Sequence, residues 1–165
     1  MSAFIEWRDN WLLDIDDVDG EHKELVGMVN QLAERYCCAQ RSRADVIAQG
    51  EKIIALLDDI GRHVKSHFDH EEACMADAAY PGYEAHCYEH VTLLAEYAEL
   101  MREVRREGVE CLDQDTLAAL KGWLIGHIAG ADRRFGDYYR STVLGAHPLP
   151  DIFTRRWIQR SIGSL

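Results

Sequence analysis

No apolar run in this 165-residue chain comes near the roughly 18 residues that cross a bilayer, so the sequence predicts no transmembrane segment. Proline is scarce: one of the three is Pro81 and the others are Pro148 and Pro150, which leaves room for long helices on either side of residue 81. No stretch alternates apolar and polar residues as a half-buried strand would. Basic side chains are outnumbered, with Lys+Arg 18 against Asp+Glu 29 and a formal net charge of −11. That argues against nucleic-acid or anionic-membrane binding over the whole surface. The cysteines are Cys37, Cys38, Cys74, Cys87 and Cys111, an odd number with no CxxC pair. The start, MSAFIEWRDN, carries acids and lacks the apolar segment of a secretory signal. Reduced thiols in a cytoplasm fit this pattern best.

What is present is helical periodicity. Four segments carry it: about 21–36, with Leu25, Val26, Val29, Leu32 and Tyr36; about 43–75, with Ile53, Leu57, Ile60, Val64, Phe68 and Met75; about 83–107, with Val91, Leu94, Tyr97, Met101 and Val104; and about 115–143, with Leu117, Leu120, Leu124, Ile128, Phe135 and Tyr138. Asp19 is the expected N-cap of the first, and Ser42 with Asp45 resembles a capping box before the second. Tyr80-Pro81-Gly82 is a turn signal, and Gly108 suits the position just past a helix end.

The fold expected is all-α, an up-down-up-down four-helix bundle over residues 1–145. Residues 1–18, with Phe4, Trp7, Trp11, Leu12 and Leu13, are expected to form an arm along the bundle. Residues 146–165 form a C-terminal extension that places Arg155, Arg156 and Arg160 opposite Trp157, Ile158 and Ile162. It reads as a short helix, with protein or membrane-surface docking as the sharper alternative.

All four segments place histidine on the stripe that should be buried: His22; His67 with Glu71; His86 and His90; and His127 followed by Asp132. A polar group buried without a partner costs several kcal/mol. One such histidine is easily satisfied by a carbonyl, whereas five with two carboxylates call for a metal at the centre. Residues four apart on a helix differ by only about 40° in direction, so HxxxE and HxxxH each aim two ligands at one point. His127 and Asp132 are five apart, about 140° on a regular helix. Either Asp132 reaches round, or the helix is distorted near Gly126 and Gly130.

Seven ligands are too many for one tetrahedral zinc, and imidazole with carboxylate suits iron. Two six-coordinate irons offer about twelve positions. Five histidines, two bridging carboxylates and a bridging oxide or hydroxide fill all but one. The remaining position faces an apolar core, where dioxygen is the natural ligand.

In DGEHKEL (19–25), HFDHEEACM (67–75), YPGYEAHCYEH (80–90) and WLIGHIAGAD (123–132) the sequence resembles the hemerythrin family, specifically its single-domain bacteriohemerythrins. The resemblance spans about residues 4–140. It implies a four-helix bundle whose non-haem di-iron centre binds dioxygen reversibly, for transport, storage or sensing, with no enzymatic turnover. By the same resemblance His86, His90 and His127 would hold one iron and His22 and His67 the other, which keeps the open position, while Glu71 and Asp132 would bridge both. Leu25, Met75, Trp123, Leu124 and Ile128 would line the oxygen pocket. Glu21 stands where the family commonly has glutamine, a change expected to matter little. His63 is a possible outer neighbour or competing ligand, and His70 is expected to be exposed. The competing functions are a di-iron enzyme acting as ferroxidase, as peroxidase or on nitric oxide, and an oxygen-responsive regulatory module.

Overall fold

The computed structural model describes residues 3–39 and 43–145, without the side chains of residues 38–39 and 43–48. The expected capping box at Ser42, the C-terminal extension 146–165 and His147 lie outside the described residues. Helix α1 spans Asp16–Ala39, α2 Arg43–Asp77 and α3 Tyr83–Glu107. The fourth arm is α4, Gln114–His127, a π turn over Ile128–Asp132, and α5, Arg133–Thr142. Together they make a four-helix bundle.

The ends follow from local chemistry. Asp113 caps α4, its side chain accepting from the Thr116 amide at 2.7 Å. Gly108 ends α3 at φ 85, a left-handed conformation that a side chain would disfavour, and its amide reaches Val104 O at 2.9 Å. Helix α1 starts earlier than expected, because Asp16, Asp17 and Asp19 all occupy its acidic first turn. Asp19 is therefore not the N-cap. Its buried carboxylate instead accepts from the amides of Leu13 at 2.7 Å and Asp14 at 3.1 Å, closing the arm onto the helix.

The arm packs as the sequence suggested, with Ile5, Trp11 and Leu13 buried. Ile5 exchanges two hydrogen bonds with the Asn30 side chain of α1, at 2.7 and 3.0 Å. Lys121 of α4 donates to Phe4 O at 2.6 Å and sits over the Phe4 ring. Further along, the arm crosses α5 at Gly136. A Cβ there would lie 3.0 Å from the Leu13 Cα and 2.9 Å from its Cδ2. Gly136→Val should cost about 1–3 kcal/mol through overpacking. The measurement is a fall of several degrees in Tm by circular dichroism.

Among the described residues the buried side chains form two apolar clusters. The larger runs from Leu25, Val26 and Val29 through Leu57, Ile60, Val64 and Phe68 to Leu124 and Ile128. The smaller contains Leu13, Val18, Met75 and Phe135. Every helix passes from one cluster to the other, and at each passage its polar inward residues intervene. His22 lies between Val18 and Leu25, and the pair His67 and Glu71 is flanked by Val64 and Met75. His127 and Asp132 come between Leu124 and Phe135. The result is a polar layer sandwiched by oil.

Leu94 and Leu120 are part-buried against the larger cluster, while Val91 and Tyr138 depart further from expectation. Val91 is 63% exposed: it follows His90 directly, so with His90 facing inward it is turned about 100° away. Tyr138 is only half-buried, and its hydroxyl reaches Ala78 O and Ala79 O. The π turn is the reason. It takes one more residue than an α turn, so the phase beyond it slips by about 100°. Gly136 and Arg140 rotate inward in consequence and Tyr138 rotates out. The two terminal nitrogens of Arg140 bond Leu12 O at 3.1 Å, Asp14 at 3.2 Å and Asp137.

Candidate metal centre

The polar layer brings together all seven residues singled out in the sequence. Ligand atoms of Glu71, His86, His90, His127 and Asp132 lie within 4.8 Å of one another, as do those of His22, His67 and Asp132. Asp132 belongs to both groups, and all seven side chains are buried, with Glu71 and Asp132 at 0% exposure. Helix α2 presents His67 and Glu71 one turn apart, and α3 does the same with His86 and His90. The π turn resolves the five-residue spacing between His127 and Asp132. It closes i to i+5, so residues five apart stand over each other.

The atoms converge without satisfying one another. Asp132 Oδ1 is 2.9 Å from His127 Nε2 and 3.1 Å from His86 Nε2, and its Oδ2 is 3.2 Å from His22 Nε2. Glu71 Oε2 is 3.3 Å from His90 Nε2 and 3.4 Å from His86 Nε2. Yet, among the described residues, both oxygens of Glu71 and Asp132, both nitrogens of His22 and His86, and His67 Nε2 have no aligned hydrogen-bond partner. Groups that close yet misaligned share a target between them rather than bonding to each other.

Three imidazoles are held from behind. The Nδ1 of His67 bonds Glu21 at 2.8 Å, that of His90 bonds Glu72 at 2.9 Å, and that of His127 bonds Glu89 at 2.8 Å. Each Nδ1–H thus donates outward to a carboxylate and leaves Nε2 with a bare lone pair facing inward. His90 Nε2 and His127 Nε2 are 3.0 Å apart, two lone pairs aimed at one place. Nitrogens about 2.1 Å from a transition-metal ion and at right angles around it stand about 3.0 Å apart, so the donor set fits a metal. Phe68 stacks on the His90 ring at 3.7 Å and fixes its plane.

The electrostatics say the same. Burial would raise Glu71, as would Asp132 beside it, but the His86 and His90 rings bring it down to about 2. Burial also acts to raise Asp132, and His127, His22 and His86 hold it well below the usual carboxylate range. Burial pushes His67 down to about 4, helped by the His22 ring. His86 would be lowered by burial too, but Asp132 and Glu71 carry it up to about 9. Two carboxylates kept ionised at the centre of the core therefore draw cationic charge, and a multivalent ion serves that role better than a proton.

A cavity of about 10 Å³, on the scale of one very small molecule, lies beside the His22–His67 group. Its walls are Leu25, Phe68, Trp123, Leu124 and Ile128, with His22, His67, His127 and Asp132. Four of the five expected pocket residues are there. Met75 is not: it lies one turn beyond Glu71 and packs in the opposite cluster with Leu13, Val18 and Phe135. Phe68 takes its place, one residue after His67, a position that helical phase alone marked only as core.

Sequence reasoning also missed the outward carboxylates. Glu72 and Glu89 stand next to Glu71 and His90 and were legible only as neighbours of ligands. Glu21 is far from the inconsequential surface change expected, because one carboxylate oxygen receives His67 Nδ1. The other receives Nδ1 of the half-buried His70 at 3.0 Å. His63 stays outside both ligand groups, with its Nε2 3.3 Å from Glu21 O. Cys37, Cys74, Cys87 and Cys111 are free, and burial raises the last three thiols, which makes them poor nucleophiles.

Comparison with known proteins bears directly on this layer. The family model described as Hemerythrin HHE cation binding domain matches residues 13–139. A bacteriohemerythrin of Methylococcus capsulatus is 31% identical over 118 residues, covering 72% of this chain and 82% of its own. A bacteriohemerythrin of Stenotrophomonas maltophilia is 29% identical over 139 residues, 84% of either chain. A myohemerythrin of Riftia pachyptila is 28% identical over 129 residues, covering 78% of this chain and 88% of its own. Among solved structures, a wild-type hemerythrin crystal structure superposes with TM-score 0.66 at 28% identity, covering 81% of this chain and 96% of that one.

Proposed function

This chain belongs to the hemerythrin family, and on that premise we propose how its own residues divide the work of binding dioxygen. Reversible dioxygen binding at a non-haem di-iron centre is its function, in transport, storage or sensing. When bound, the two ferrous irons would supply the two electrons that hold the gas and would recover them when it leaves, with an oxide or hydroxide between them.

The observation that carries the assignment is the pair of ligand groups meeting at Asp132. We assign His86, His90 and His127 to one iron and His22 and His67 to the other, with Glu71 and Asp132 shared. The cavity beside His22 and His67 supports leaving the open position on that side. Leu25, Phe68, Trp123, Leu124 and Ile128 keep water out of it. Burial there favours a ligand without strong hydrogen-bonding needs, and the chamber has no room for an organic substrate.

Members of the family bind oxygen and are generally not enzymes. We read this chain as a binder because the cavity beside the centre has no room for an organic substrate. No described helix is long and apolar enough to cross a membrane. Free thiols suit the reducing cytoplasm. The bundle is assigned to residues 1–145 and the extension to 146–165.

The test is anaerobic reduction of the iron-loaded chain followed by air, with iron counted per chain. A visible charge-transfer band should grow with oxygen and vanish on degassing. A band that persists after degassing, or steady oxygen consumption with added reductant, would turn the reading towards an enzyme.

A further inference from the structure

We propose that Glu21, held by His70, is a positioning residue for the iron on the His22–His67 side, and that its carboxylate makes that iron more electron-rich. The inference rests on the ligand assignment above and adds a residue that the assignment does not contain.

Glu21 directly precedes one ligand and bonds another across the helix interface. Its two oxygens are both committed, Oε2 to His67 Nδ1 at 2.8 Å and Oε1 to His70 Nδ1 at 3.0 Å. Its main-chain oxygen is 3.3 Å from His63 Nε2. Three histidines of α2 therefore clasp one residue of α1. The clasp runs from surface to core, since side-chain exposure falls from 38% at His70 through 27% at Glu21 to 1% at His67.

Among the described residues the other histidine on this side, His22, has no partner at Nδ1. Support from behind therefore reaches this iron through His67 alone. Glutamine would be a poor equivalent. Its amide offers one acceptor oxygen for two N–H donors, and its NH2 would face the His70 ring. A carboxylate accepts from both and adds a negative charge behind the ligand ring. A carboxylate behind a ligating imidazole fixes the ring and raises its basicity. More donation favours the ferric over the ferrous ion.

The test compares the iron-loaded wild type with Glu21→Gln, Glu21→Ala, His70→Ala and the double variant Glu21→Ala/His70→Ala. Two readouts need no oxygen: iron retained against a chelator, and the ferric-to-ferrous ratio at one fixed solution potential. Glu21→Ala should weaken retention of one of the two irons by about 10–100-fold. Glu21→Gln should restore most of that retention while moving the ratio roughly tenfold towards ferrous iron. A purely structural role would not separate these two readouts. His70→Ala should weaken retention less than Glu21→Ala, and the double variant should be no worse than Glu21→Ala, because His70 acts only through Glu21.

The proposal is overturned if Glu21→Gln leaves the ratio unchanged, or if the double variant loses the product of the two separate losses. Failure of the ligand assignment looks different: the wild type itself would not hold two irons or would show no oxygen-dependent band. Far-UV circular dichroism of each variant confirms the bundle, and the near-isosteric Glu21→Gln carries the decision if Glu21→Ala does not fold.

Discussion

His67→Ala is expected to abolish the oxygen-dependent absorption band and to reduce bound iron from about two per chain to about one, since a ligand's loss removes an essential donor. His67 is one of the two histidines in the smaller group, beside His22 and Asp132, and its ring walls the cavity. Alanine there leaves His22 and shared carboxylates, too few donors to keep an ion against solvent. The other group keeps its three histidines, His86, His90 and His127, so its iron should stay. Absorption during cycles of reduction and aeration, with iron measured per chain, checks both halves. A variant that binds oxygen like the wild type would remove His67 from the ligand set.

Removing the metal altogether should loosen the bundle at its middle. Each polar atom left buried and unpaired costs about 1–3 kcal/mol, and the layer holds several such atoms on Glu71, Asp132, His22, His67 and His86. Metal binding to the folded chain alone offsets this, and that offset is lost on chelation. At about 2–4 °C per kcal/mol for a chain of this length, Tm should fall by at least about 10 °C. The two apolar clusters remain packed, so most helicity should survive at room temperature. Hydrogen exchange should quicken first at residues 67–75 and 127–132, where the layer crosses α2 and the π turn. Returning ferrous iron should restore both. A chelated protein with unchanged Tm would mean that the seven side chains satisfy one another, contrary to their geometry.

Most of the fold was legible because helices announce themselves by period and by their ends. The third helix was placed from about Tyr83 to Glu107 by the turn before it and the glycine after it. The ligand set was legible for a related reason: His and carboxylate on a stripe that ought to be apolar form a contradiction that only convergence resolves. Three things were hidden. The five-residue spacing of His127 and Asp132 pointed to a distortion near Gly126 and Gly130 but not to its form, the π turn that makes Gly136 and Arg140 face inward while Tyr138 does not. The partnership of Glu21 with His67 spans 46 residues and two helices, so no local spacing encodes it. Met75 has the right helical phase for the layer but the wrong height, and phase says nothing about which of two stacked clusters a residue enters.

The amino-terminal arm does more than cover apolar surface. It is tied to α1 through Asn30 and to α4 through Lys121, the same two helices whose Leu25, Trp123 and Leu124 wall the gas chamber. A bundle of four rods laid down in order has one seam that no loop closes, the one between its first and last rods. Here a dozen leading residues are stitched across that seam. Clipping them off would therefore be felt as leakage, with the captive gas and stray water exchanging faster, before it was felt as unfolding.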